Sequence, residues 1–286
     1  MLTIKHMLFP CDFSEQCSSA VPFVLAIASR FEARVTLLTV NPPPRAEPPA
    51  ALEAEATLDT RKLAIEPQSR LETMLVEEFA GFPVQTVRNS GDPALKITEF
   101  AHDNKVDLIM MPTHGYGLFR SLLIGSVAAK VLHDAKCPVW TATHAEEQQP
   151  TNIPRTILCA VEGTPKSLGV LEWASAFSRE MGATLKLIHV APRISDALAL
   201  PSEEALQEEV NRQARAKIES LQKSLGVEAH LEIAVGSVAE AVAQAAEHQG
   251  VNLVIIGRGS LQATMGRLRT HAYGIIHKSP CPVLSV

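Results

Sequence analysis

The sequence predicts an α/β fold: two doubly wound domains, each built on a five-stranded parallel sheet. Three observations carry this. Short apolar runs alternate with segments of helical periodicity along the chain. The runs are apolar on both faces, as in Val-Thr-Leu-Leu-Thr-Val at 35–40, which suits strands covered by helices on both sides. The whole order then recurs with a period of about 145 residues, too long for a solenoid and right for a duplicated domain.

The first strand spans 4–10 and ends Leu8-Phe9-Pro10-Cys11-Asp12. Ser14 has the side chain of a helix N-cap, and Glu15 follows in an acidic first turn, so a helix is expected to about Arg30. The second strand is 34–40. Residues 41–49 carry five prolines and read as a loop. A long helical stretch, interrupted near Pro67, follows to about Phe79, then a strand at 83–88. Gly91-Asp92-Pro93 opens the next helix, with Pro93 suited to its first turn. Ala94, Leu95, Ile97, Phe100 and Ala101 recur there at helical spacing. A strand at 106–111, a glycine-bearing loop, a helix to about Asp134 and a strand at 138–143 complete the unit.

Residues 144–153 are polar and read as a linker between units spanning 1–144 and 154–286. The order then restarts. Residues 155–162 answer the first strand, and 183–191 the second. Residues 203–225 form a helix, acidic early and basic late. Gly236-Ser237-Val238 answers Gly91-Asp92-Pro93, 252–256 answers 107–111, and Cys281-Pro282-Val283 answers Cys137-Pro138-Val139.

Composition narrows the function. A charged fraction of 20% with 46% hydrophobic residues suits a globular core rather than disorder. A net charge of -5 supplies no basic surface for nucleic acid. No apolar stretch approaches the roughly 20 residues of a membrane helix. Residues 1–6 lack the apolar core of a signal peptide, so a cytoplasmic location is the expectation. The five cysteines form no Cys-x-x-Cys and read as reduced, mostly buried thiols, with Cys11 beside Asp12 the one to watch for redox chemistry. Nucleophile-elbow, P-loop and zinc-protease motifs are absent, and Gly115-Tyr116-Gly117 lacks the last glycine of a dinucleotide fingerprint.

The chemistry concentrates after the fourth strand. Residues 110–126 run strand, glycine loop, helix start, and Gly125-Ser126 stands at the helix entrance. First-turn N–H groups have no partner within a helix, and the dipole there favours an anion. Gly115, Gly117 and Gly125 present no side chain to an approaching phosphate, and Ser126 adds a hydroxyl. Ligands of doubly wound sheets bind beyond the strands' carboxyl ends, where Asp12, Val40 and Pro112 also lie.

This pattern resembles the nucleotide loop of universal stress proteins, Gly-x2-Gly-x9-Gly-(Ser/Thr). Gly115 takes the second glycine and Gly125-Ser126 the closing pair, whereas Pro112 replaces the first glycine and has no N–H to donate. Pro10-Cys11-Asp12-Phe13-Ser14 matches the family at the first strand end. The resemblance implies a Rossmann-like, adenine nucleotide alpha hydrolase-like fold. It implies an ATP-binding stress-response regulator in which Pro10, Asp12 and Val40 lie near the nucleoside. Pro112, His114, Gly115, Gly125 and Ser126 would then lie along the phosphates, with or without magnesium. Arg120 and Lys130 are more distant candidates for neutralising charge. The second copy reads as degenerate: Gly257 restores the first glycine, but Ser260 replaces the second and Arg269-Thr270 or Thr270-His271 the closing pair. Arg258, Arg267 and Arg269 could still hold an anion there. Family members often dimerise through the last strand. Here 138–143 would pair with 282–286 inside one chain, a pseudo-dimer that leaves a further homodimer open. The alternative is a dimeric partner-binding module that takes no nucleotide, which Pro112 favours. Slow ATP hydrolysis is a minor third option.

Overall fold

The structure is a computed structural model that describes residues 2–41, 73–74, 77–113, 124–142, 153–194, 203–258 and 268–286. The first half runs β1 (His6–Pro10), α1 (Glu15–Phe31), β2 (Arg34–Asn41), β3 (Val84–Ser90), α2 (Pro93–Asp103), β4 (Leu108–Pro112), α3 (Ser126–Asp134) and β5 (Val139–Ala142). The second runs β6 (Thr156–Ala160), α4 (Ser167–Met181), β7 (Thr184–Ala191), α5 (Glu203–Leu225), β8 (His230–Val235), α6 (Val238–His248), β9 (Leu253–Ile256), α7 (Leu268–Lys278) and β10 (Val283–Ser285). The expected loop at 42–49, most of the helical stretch before Phe79 and the linker lie outside the described residues.

Local chemistry sets the element ends. Ser14 caps α1 by accepting the Cys17 N–H, as its position predicts. Asp92 caps α2 by accepting the Leu95 N–H at 2.9 Å, and Pro93 fills a first-turn position that needs no donor. In α1, Cys17, Ala20, Val21, Val24, Ile27, Ala28 and Phe31 are buried at three- and four-residue spacing, which lays one stripe on the sheet. Strand β3 runs two residues past the expected Arg88. It stays in register with β2 as far as Ser90 opposite Asn41, and the Gly91 N–H donates to Asn41 O at 3.0 Å.

Strand order is β3-β2-β1-β4-β5-β10-β9-β6-β7-β8, one ten-stranded sheet. Each half is parallel and doubly wound. From β1 the chain steps outward to β2 and β3, then returns to lay β4 on the other side of β1. One face is covered by α1, α4 and α5, the other by α2, α3, α6 and α7. Asp107 accepts the N–H groups of Lys5 (2.8 Å) and His6 (2.9 Å) and so pins the start of β1 to β4. Asn252 does the same for Arg155 and Thr156, both at 3.1 Å.

The halves join where β5 runs antiparallel to β10, with Val139 opposite Ser285 and Thr141 opposite Val283. The expected pairing of 138–143 with 282–286 is therefore present, and it hides two strand edges. Beneath it lies an aromatic cluster from both halves. Phe177 stacks on Phe31 (5.9 Å) and Trp173 (5.0 Å) and tilts against Trp140 (6.5 Å), which also meets Phe23.

Candidate functional site

The reversal of strand order in the first half falls between β1 and β4, and six of the eight predicted residues lie on the described elements around it. Pro10 and Pro112 are buried at the last positions of β1 and β4. Past Pro10 the chain leaves the sheet. The Cys11 N–H still donates to Leu38 O (2.9 Å), and Phe13 then takes a left-handed backbone, φ 61°. That conformation is rare for a residue with a bulky side chain. It turns the chain so that Asp12 Oδ1 accepts both the Ser14 N–H (3.1 Å) and the Ser14 hydroxyl (2.6 Å). Asp12 is exposed, and its Oδ2 makes no bond to a described residue.

Val40 lies near the end of β2. Alternate residues of a strand direct their peptide groups to the same side. Leu38 O points to β1, where it meets Cys11, and Asn41 O points to β3, where it meets Gly91. Val40 therefore turns its N–H and C=O to the β1 side, beyond the point where β1 has left the sheet.

Helix α3 begins against β4. The Gly125 N–H donates to Thr113 O at 2.9 Å, and Gly125 O accepts the Ala129 N–H at 2.9 Å. The peptide nitrogen of Gly125 is thus engaged in closing the loop. The open donors of the first turn are those of Ser126 and the residues after it. Ser126 is exposed at the first helical position, and among the described residues no side chain caps the helix. Thr113 is structural, buried with its hydroxyl 3.3 Å from Ala142 O. Lys130 pairs with Asp92 at 3.1 Å rather than standing as a free counter-charge. His114, Gly115, Gly117 and Arg120 lie outside the described residues.

The second half repeats the frame with different contents. Ala160 lies opposite Ile188 as Pro10 lies opposite Leu38, and the Val161 N–H donates to Ile188 O at 2.9 Å. Gly163, φ 70°, stands where Phe13 does. That equivalence is the sequence signal that marks Phe13 as a strained turn residue. His189 donates from Nδ1 to Val161 O at 2.8 Å, where the first half has Thr39. Arg258 follows β9 as Thr113 follows β4, but its guanidinium donates to Ala135 O and, at 2.6 Å, to Cys137 O of the first half. Arg258, which could have held an anion, instead commits two of its donors to these carbonyls. Gly259, Ser260 and Arg267 lie outside the described residues. Among the described residues, no three His, Cys, Asp or Glu side chains are grouped to hold a metal, and no helix is long and apolar enough to cross a membrane.

Comparison with known proteins agrees with this duplicated geometry. The profile of the universal stress protein family matches residues 3–142 and again 154–286. A universal stress protein of Methanocaldococcus jannaschii is 35% identical over 138 residues, which is 47% of this chain and 79% of the relative. The crystal structure of a universal stress protein from Archaeoglobus fulgidus superposes with a TM-score of 0.68 at 22% identity, covering 99% of this chain and 96% of that one. One from Pseudomonas aeruginosa gives 0.65 at 18% identity, covering 99% and 93%. At those identities the structural likeness speaks to the fold, while the two profile matches speak to descent. The chain belongs to the universal stress protein family, carrying two copies of its domain in tandem.

Proposed function

We propose that the first unit, residues 1–144, binds an adenine nucleotide, and that the protein is a cytoplasmic stress-response regulator read out through that binding. The second unit, residues 154–286, has lost the site. The observation that carries this is a convergence of three kinds of group at one switch point. Asp12 offers an open carboxylate oxygen for a ribose hydroxyl or an adenine amine. The Val40 peptide faces the same gap and can read an adenine edge. The first turn of α3 offers unpartnered N–H groups and the positive end of a helix dipole to phosphates.

The groups present fit a nucleotide. Gly125 keeps the entrance of α3 free of a side chain, Ser126 adds a hydroxyl, and among the described residues no side chain caps the helix in a ligand's place. The additional charge for a triphosphate would come from His114 and Arg120 in the loop. ATP is the favoured ligand, and magnesium would travel with its phosphates. Nothing in the set acts as a positioned general base, so turnover would be slow and incidental.

A second reading is a partner-binding pseudo-dimer that takes no nucleotide. Pro112, which cannot donate from the first-glycine position, and the pairing of Lys130 with Asp92 favour it. One experiment separates the two. Purified protein is denatured and the released small molecules are weighed, then thermal unfolding is followed with Mg-ATP. Ligand at a hundred times its dissociation constant stabilises by about 2.7 kcal/mol. Release of an adenine nucleotide, or a raised melting temperature, supports the first reading. Neither result leaves the partner-binding module.

A further inference from the structure

Two side chains of the second half bond to α3, the helix whose first turn is the proposed anion end, or to the turn just past it. The Tyr273 hydroxyl on α7 donates to Ala129 O at 2.8 Å. The Arg258 guanidinium donates to Ala135 O, at the C-cap of α3, and to Cys137 O just beyond it. Ala135 O belongs to the end of the helix, where carbonyls lack internal partners and the dipole is negative, and Cys137 O follows two residues on. A forked cation is suited to that position because its N–H groups diverge in a fixed plane and can meet two carbonyls at once.

The sheet explains why Arg258 can reach. Strand β10 is parallel to β9 and antiparallel to β5, so the end of β9 lies near the beginning of β5. Cys137 is two residues before β5. The Arg258 N–H is itself fixed to Val286 O at 2.9 Å. Its backbone is therefore anchored to its own sheet while its side chain spans β10 to the other half. At the equivalent position after β4, Thr113 turns its hydroxyl back to Ala142 O within its own half. At this pair of equivalent positions only the second repeat reaches across the seam.

We propose that Arg258 is a positioning residue for the anion end of the first unit, holding α3 by its C-terminus so that the N-terminal amides keep their aim. The proposal rests on the nucleotide reading above. It makes a residue of the second repeat a determinant of phosphate binding in the first. This gives the worn second loop a role: the segment that no longer binds phosphate has become a clamp on the neighbour that does.

The test uses the full chain, the variants Arg258→Met and Arg258→Lys, and two probes, ATP and adenosine. Arg258→Met is expected to weaken ATP binding by about fivefold or more, the lower end of ordinary coupling between sites. Adenosine, which has no phosphate, should bind the variant and the parent equally. Amide hydrogen exchange along α3 should accelerate in the ligand-free variant, and Arg258→Lys, with its cation kept and its fork lost, should fall between. Equal losses for ATP and adenosine would mean general destabilisation and overturn the proposal, as would unchanged exchange in α3. Should Arg258→Met fail to fold, Arg258→Lys against the parent carries the same comparison. A parent that binds neither probe removes the nucleotide reading, and the clamp is then decided by the exchange data on ligand-free protein.

Discussion

Trp140 and Leu284 lie opposite one another at the centre of the ten-stranded sheet, and the contacts to either side of them repeat in mirrored order. The Thr141 hydroxyl donates to Val283 O (3.1 Å), and the Ser285 hydroxyl donates to Val139 O (3.3 Å). Each strand thus supplies one hydroxyl and one carbonyl to the other. This is the self-complementary contact of a two-fold dimer, made within one chain.

Trp140 is therefore the residue whose loss should be felt by both halves. It is 2% exposed and packs against Phe23 of α1 and Phe177 of α4. Trp140→Ala should cost about 3–5 kcal/mol, the usual penalty for emptying a large aromatic site in a core. Urea unfolding should show the loss and should also separate into two transitions. Trp173→Ala, at a half-buried ring, should cost less and keep a single transition.

Gly125→Val tests the anion end directly. Gly125 has φ −53° and ψ 144°, a backbone that valine adopts without strain. The ligand-free protein should lose about 1 kcal/mol or less, the range of a poorer N-cap residue. The stabilisation by Mg-ATP should vanish, because a branched side chain then stands where phosphate would approach the backbone. Calorimetric scans of parent and variant, with and without Mg-ATP, check both parts. A variant that keeps the full shift would place the ligand elsewhere.

His6 makes stability sensitive to acid. Its ring is 4% exposed, with Nε2 2.9 Å from the Thr36 hydroxyl and Nδ1 near Asn104 O (3.1 Å) and the Arg34 guanidinium (3.0 Å). Burial chiefly, with Arg34 adding to it, lowers its pKa below the ordinary 6.5, against the opposing pull of Asn104 O and Asp107. Below pH 6.5 the unfolded chain takes up a proton that the folded one refuses, so stability falls as pH falls until the folded pKa is reached. The slope from this one group can reach about 1.4 kcal/mol per pH unit. His6→Gln should flatten the pH dependence of the urea midpoint below pH 6.5.

Three thiols, buried Cys159 and Cys281 and half-buried Cys137, should be inert in the native state. Burial pushes Cys159 up to about 12, and it pushes Cys137 and Cys281 up to about 11. The thiolate is the reactive form, so at pH 7.5 N-ethylmaleimide should leave these three unmodified. In urea all five cysteines should react, and peptide masses after each treatment check the difference. Modification of Cys159 in the folded protein would mean that the core opens on the labelling timescale.

The parts legible in the sequence were those set by neighbours in the chain. Ser14 and Asp92 are recognisable caps because a capping oxygen serves an amide only three residues away. The strands are recognisable because burial on both faces leaves an apolar run, and the repeat shows both halves alike. What could not be read depends on partners distant in the chain. Arg258 looks like a loop cation open to an anion until the antiparallel seam brings Ala135 and Cys137 beside it. Gly125 looks like an open phosphate donor until the end of β4 claims its N–H. The orientation of Val40 follows from strand register, which local spacing does not specify.

The seam between β5 and β10 has one further consequence. Because these two strands run in opposite senses, every strand of the second half points against those of the first. The tips of β1, β2 and β4 emerge on one rim of the sheet, and those of β6, β7 and β9 on the opposite rim. The two clefts are thus back to back, out of reach of any single small molecule. No ligand can bridge the two clefts, and whatever passes between the rims must be carried by the protein itself, through contacts such as that of Arg258 with Ala135 and Cys137.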